Sequence, residues 1–314
     1  MAIAFVLVYC LLIVAASMLG GALPSWIRLT HGRMQTIISF VAGLMLGVGL
    51  WHMLPHAVVE LGSLDRALSW TMIGLLSMFF MIRLFHFHQH EMASDAEHSN
   101  DAHDHGPHDH EHEHHDTPRH DHGPGDGLHS GGRLSWIGIA VGLALHTLID
   151  GVALAAAVAA EAGERDVTLI GFGTFLAIVL HKPLDALSIT SLMALGGWSR
   201  RARNLVNAGF SLMVPVGALV FMLSVGSLVG DQQSALVGCA LAFSAGVFMC
   251  ISLTDLLPEL QFHSHDRIKL SVSLLLGVLL SGAIGLVEGE HVHGNGVHGV
   301  EQHQGAETDG HAHE

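Results

Sequence analysis

LALHTLIDGVALA (143–155) and AIVLHKPLDALSI (177–189) decide how the chain is read. Each is an apolar stretch with a histidine near its centre and an aspartate four residues later: His146 with Asp150, and His181 with Asp185. The first lies inside the run Leu134–Ala160 and the second inside Val167–Trp198. A helix that crosses a bilayer needs roughly 20 predominantly apolar residues, and both runs are long enough. A charge at that depth costs roughly 2.5–3.5 kcal/mol on insertion scales, so such residues usually mark function.

Six more runs of this kind flank them: Ala2–Leu23, Met34–Val58, Ala67–Phe85, Leu205–Val229, Gln232–Leu256 and Leu270–Leu286. The first has the length of a retained span and lacks the small-residue cleavage site of a signal peptide. Lipid offers backbone groups no water, so all eight spans are expected to be α-helices. The fold class that follows is an all-α integral membrane protein of eight transmembrane helices, with the lipid bilayer as a partner.

Composition agrees. Of the 314 residues 50% are hydrophobic and only 13% charged, where a soluble domain carries roughly 25% charged. The formal net charge is −15, so no basic face is available for phosphates, and nucleic acid is excluded as a partner. Cys10, Cys239 and Cys250 sit in apolar runs without CxxC spacing, which excludes a thiolate zinc site or a disulfide framework.

Histidine and acid are concentrated outside the spans. Residues 86–129 hold 14 of the 27 histidines, and 291–313 hold 6 more. This divides the chain into spans 1–3 (1–87), a His/Asp-rich loop (88–132), spans 4–8 (133–287) and a His-containing tail (288–314). The loop has too few apolar residues to offset its ordering entropy and is expected to be disordered. At this His density, weak multi-site metal binding is its expected chemistry. Ten Lys or Arg lie in or beside the connections after spans 1, 3, 5 and 7, against Arg66 and Arg165 elsewhere. The positive-inside rule then puts both termini outside and the His-rich loop in the cytoplasm.

Residues i and i+4 share one helical face with Cβ atoms about 5–6 Å apart. Two such His–Asp faces opposed would offer four N/O ligands, which suits a divalent cation. Two carboxylates with neutral imidazoles also balance its charge. The competing reading is two separate His–Asp pairs that only pack the bundle. Pro183 removes an N–H and is expected to kink span 5. Lys182 needs a counter-charge at the same depth, from Asp150, Asp185 or Asp255. In span 2, His52 and His56 are again i and i+4 and form a candidate way in for metal, with Glu60, Glu161, Glu164 and Asp166 on the same side. In span 7, Asp255 and Glu259 bracket Pro258 and form a candidate way out.

The paired motifs HTLID (146–150) and HKPLD (181–185), with eight spans, the His-rich loop, the LPH of span 2 and the LPE of span 7, resemble the ZIP family of metal-ion transporters over nearly the whole chain. The HKP element resembles the subgroup that includes Golgi-located animal members. The resemblance implies a ZIP-type bundle that carries zinc, or iron, manganese or cadmium, toward the cytoplasm as substrate, with no resident cofactor and no enzymatic activity. It implies His146, Asp150, His181 and Asp185 as metal ligands, and Met45 as a further contact. Many members have Asn and Glu after the two histidines, where they help to hold a second metal; this chain has Thr147 and Lys182 there. One transported metal per site is therefore expected.

A cation-diffusion-type exporter and an intramembrane zinc hydrolase are the alternatives. The first usually has six spans and a cytoplasmic C-terminal domain. The second would need a base beside the metal. The membrane is the plasma (inner) membrane if the source is bacterial, otherwise an internal membrane. A homodimer is one assembly the sequence allows.

Overall fold

In the computed structural model, residues 2–22, 31–86, 131–162, 169–262 and 267–288 are described. The His-rich loop from residue 88 to 130, the tail beyond 288, and Glu164 and Asp166 lie outside them. The helices are α1 (Ala2–Ala22), α2 (His31–Val48), α3 (Leu54–Leu61), α4 (Leu64–His86), α5 (Gly131–Glu161), α6 (Phe172–Leu195), α7 (Arg200–Ser211), α8 (Met213–Gly226), α9 (Asp231–Phe262) and α10 (Arg267–Glu288). Among the described residues, eight helical spans are long and apolar enough to cross a membrane. The protein is thus a multi-pass integral membrane protein.

Boundaries of several spans differ from the sequence reading. Span 2 is α2 and α3 joined by a π-turn at Gly49–Met53, in which the Leu54 N–H donates to Gly49 O. Pro55 follows at the start of α3 and has no N–H to donate, so the wider turn lies where a regular ladder would be broken anyway. Span 6 begins at Arg200, earlier than the apolar run, and turns at Leu212 between α7 and α8. The Ser199 hydroxyl caps α7 by accepting from the Ala202 N–H. Span 5 begins at Phe172, after Gly171 in the left-handed region at φ 71°. Its helix then continues through Pro183 to Leu195.

The windows of spans 2, 4 and 7 are 61% buried, against 22–28% for spans 1, 3 and 8. The first set forms the centre. The second turns leucines such as Leu11, Leu76 and Leu279 outward, as lipid-facing helices do. The helices pack chiefly in four pairs: α2 with α10, α4 with α9, α5 with α8, and α1 with α6. Lipid tails are as apolar as leucine, so close backbone approach holds such pairs together rather than water exclusion. At the α5–α8 crossing, a Cβ on Gly151 would collide with Val214 O, and one on Gly217 with Leu148 O. Gly151 follows Asp150 directly, so this contact fixes the height of that carboxylate. The main apolar core runs through the centre and includes Leu44, Met45, Leu154, Ile178, Leu241 and Phe248.

Candidate metal centre

The two HxxxD faces meet. His146 Nε2 lies 3.5 Å from Asp150 Oδ2 and 3.7 Å from Asp185 Oδ2. His181 Nε2 lies 3.3 Å from Asp150 Oδ2 and 3.8 Å from Asp185 Oδ2. One ligand atom from each of the four residues falls within 4.8 Å of the other three. This is the one group of at least three His, Cys, Asp or Glu with that property among the described residues. The four side chains thus face one another rather than separate surroundings. His146, Asp150 and His181 are buried, whereas the Asp185 side chain is 18% exposed.

Hydrogen bonding sets the chemistry. His181 Nδ1 lies 2.9 Å from Ala177 O. A carbonyl only accepts, so Nδ1 is the protonated nitrogen, a choice of tautomer made from its partner. In the neutral ring Nε2 then carries a lone pair and faces a carboxylate oxygen. Two acceptors at 3.3 Å call for a proton on one of them or a cation beside them, and the Lys182 ammonium is such a cation. Asp150 Oδ1 and His146 Nδ1 are buried and have no hydrogen-bond partner. Buried polar atoms of this kind are uncommon and call for an explanation. A divalent cation held by both oxygens of Asp150 would supply one for the carboxylate, and the donor set suits zinc.

Lys182 supplies a positive charge now. Its Nζ lies 2.6 Å from Asp150 Oδ2 and 2.8 Å from Asp185 Oδ2, and it donates to Thr147 Oγ1 at 3.0 Å. Of the three counter-charges the sequence left open, it takes the two aspartates together. The side chain of Asp255 lies outside the described residues. Lys182 is 1% exposed, so it does not snorkel to an interface. It also stands 5.5 Å from the centre of the Phe210 ring. Thr147 accepts this bond while donating to Leu143 O at 2.7 Å.

Among the described residues, His52, His56 and Glu161 are not part of that group. Met45 is fully buried in the apolar core on α2. His52 is buried, with Nε2 2.7 Å from Ser281 O on α10. His56 is on α3, beyond the π-turn, and half-buried. Asp255 and Glu259 lie on α9, but their side chains are outside the described residues. Glu161 is buried and accepts the Gly171 N–H at 2.7 Å, which ties the end of α5 to the start of α6.

Sequence reasoning missed the Ala177 carbonyl that orients His181 and the Ser281 carbonyl that holds His52. It also missed Phe248, edge-on to His181 at 6.2 Å, and Phe210 below Lys182. The first had a signal, since an i−4 carbonyl is always beside a helical residue. The aromatic contacts had none.

The pattern of the family described as "ZIP Zinc transporter" matches residues 2–285. "Zinc transporter ZIP9" of Macaca fascicularis is 33% identical over 129 residues, covering 40% of this chain and 53% of that protein. "Zinc transporter 3" of Arabidopsis thaliana is 26% identical over 145 residues, covering 44% of this chain and 40% of that protein. "Zinc transporter foi" of Drosophila melanogaster is 28% identical over 178 residues, covering 55% of this chain and 23% of that protein. The chain spans about half or less of the length of these relatives. The match across nearly all eight spans is the decisive one: the chain belongs to the ZIP zinc transporter family.

Proposed function

We propose that this protein carries a divalent metal ion, zinc foremost, across the membrane toward the cytoplasm, through one site made by His146, Asp150, His181 and Asp185. The observation that carries the reading is the convergence of one ligand atom from each of these residues within 4.8 Å, in a buried space between α5 and α6. Family membership and the names of the relatives support metal ions as the cargo. The ion arrives past His52, His56 and Glu161, loses water at the site, and leaves toward Asp255 and Glu259 after helix groups rock, as alternating access requires. The His-rich loop and the tail serve as separate metal-holding segments. Borderline N/O ligands favour zinc while admitting iron, manganese and cadmium.

The site takes one ion at a time. A divalent ion about 4 Å from an ammonium meets repulsion of about 8 kcal/mol at an effective dielectric of about 20. A first ion takes both aspartates, so a second would meet that ion and the Lys182 ammonium with no carboxylate left to offset either. Lys182→Glu is expected to raise bound zinc from one ion to two, measured by metal analysis of the purified protein. A ratio that stays at one overturns the role given to Lys182.

Vesicle uptake of zinc, iron, manganese and cadmium tests the function. His181→Ala is expected to abolish zinc uptake while the protein still reaches the membrane. Normal uptake by that variant removes the site. Loss of metal from loaded vesicles under the same gradient would indicate the opposite direction of transport.

A further inference from the structure

The Lys182 ammonium and an arriving metal ion need the same two oxygens. Nζ has three N–H groups, and Asp150 Oδ2, Asp185 Oδ2 and Thr147 Oγ1 occupy all three. Those two Oδ2 atoms are also the ones that face both imidazole Nε2 atoms. When a divalent ion takes them, Lys182 is left buried, charged and without its carboxylates. A buried charge in that position needs other acceptors.

Two groups nearby can receive it. The Phe210 ring already lies 5.5 Å from Nζ, within the range in which an aromatic ring attracts a cation. Asn207 lies three residues before Phe210 on α7, so the two are neighbours on one helical face. Asn207 is buried, its Nδ2 is directed at Met18 O at 3.5 Å, and its Oδ1 accepts no hydrogen bond. Adjacent residues of span 1 touch both the Lys182 segment and this amide. Gly20 packs against the backbone of Pro183, the residue after Lys182, and the next residue, Gly21, packs against the Asn207 amide. Neither Phe210 nor Asn207 belongs to the metal ligand set.

We propose that Asn207 and Phe210 form a receiving pocket for the Lys182 ammonium, so that binding of the metal and displacement of Lys182 are one exchange. Lys182 is then a tethered cation that neutralises the empty site and competes with the cargo, and Asn207 is a positioning residue that sets how readily it yields. The inference rests on His146, Asp150, His181 and Asp185 being the metal site.

The test is zinc affinity of the purified full chain in lipid nanodiscs, by competition with a chelator, with Lys182 present or replaced by the similar-sized neutral Met. Lys182→Met is expected to bind zinc at least about tenfold more tightly, since the competing cation is gone. Asn207→Leu is expected to weaken binding about tenfold when Lys182 is present and less than about twofold beside Lys182→Met. Asn207→Asp, nearly isosteric and anionic, is expected to tighten binding, again only with Lys182 present; it decides the matter if the Leu variant fails to fold. Equal effects of Asn207 substitutions in both backgrounds overturn the proposal, as does a Lys182→Met protein that binds no better than the parent. His146→Ala separates the two failures: undiminished zinc binding there removes the metal site itself, whatever Asn207 does.

Discussion

The two halves of the centre share a spacing, and each aspartate faces both imidazoles and Lys182, but they differ in burial and in hydrogen bonding. On α5, Asp150 is fully buried, touches both imidazoles and Lys182, and leaves Oδ1 without a partner, while His146 Nδ1 is equally bare. On α6, His181 is already oriented by Ala177 O, and Asp185 is partly open to solvent. One half is therefore fully enclosed, with two polar atoms left without partners. The other holds an oriented imidazole and a partly exposed carboxylate. An internal repeat of HxxxD thus places two chemically unlike halves face to face.

The largest expected effect exploits that contrast. Asp150→Ala removes a fully buried carboxylate that faces both histidines and Lys182. Zinc affinity should fall by more than about 100-fold, a loss above about 2.7 kcal/mol. Asp185→Ala removes a partly exposed carboxylate, and the loss should be about tenfold. Equal losses in a chelator-competition titration would mean that the two halves do not differ as described.

A smaller effect should come from the frame rather than the ligands. Gly217 packs on the Leu148 backbone, two residues from Asp150. Gly217→Val forces α8 away from α5, and overpacking of this kind typically costs about 1–3 kcal/mol. A lowered melting temperature together with about fivefold weaker zinc binding is expected, because α5 carries the enclosed half. The equivalent close contact of Gly277 with Phe40 O joins α2 and α10, which carry none of the four ligands. Gly277→Val should lower the melting temperature with little change in affinity. Matching affinity losses in both variants would show that the crossing at Gly217 has no special link to the site.

Much of this was legible before any coordinates. Eight apolar runs become eight helical spans because a bilayer leaves the backbone no alternative, and two i, i+4 pairs at mid-run converge because each fixes one helical face. The limits have physical causes too. Lys182 could have paired with any of three aspartates, since helix phase does not fix the reach of a long flexible side chain. His52 and His56 looked like one face of one helix, but the π-turn at Gly49–Met53 alters the phase between them, and an α-helical period cannot register that. The start of α7 at Arg200 was hidden because three arginines interrupt the apolar run, although Ser199 offered a cap signal. Phe210 and Asn207 were invisible for a plainer reason: which residues of span 6 face span 5 depends on the α5–α8 crossing, and that is a property of packing.

The smallest expected effect has a counter-intuitive sign. Thr147 and Lys182 each follow the histidine of their half-site, and in the structure they are bonded to each other, so position after the histidine on α5 serves the one on α6. Thr147→Val keeps the shape and removes the hydroxyl. The ammonium then loses one of three acceptors, and a net hydrogen bond to a charged group is worth about 1.5–3 kcal/mol at most, less where Leu143 O is released as well. The loss falls on the empty site, where Lys182 is held, rather than on the metal-loaded one. Zinc should therefore bind about two- to fivefold more tightly to Thr147→Val than to the parent protein. Weaker binding would mean that the hydroxyl serves the metal directly, and that the two halves cooperate as ligands at this position rather than as an ammonium and its cradle.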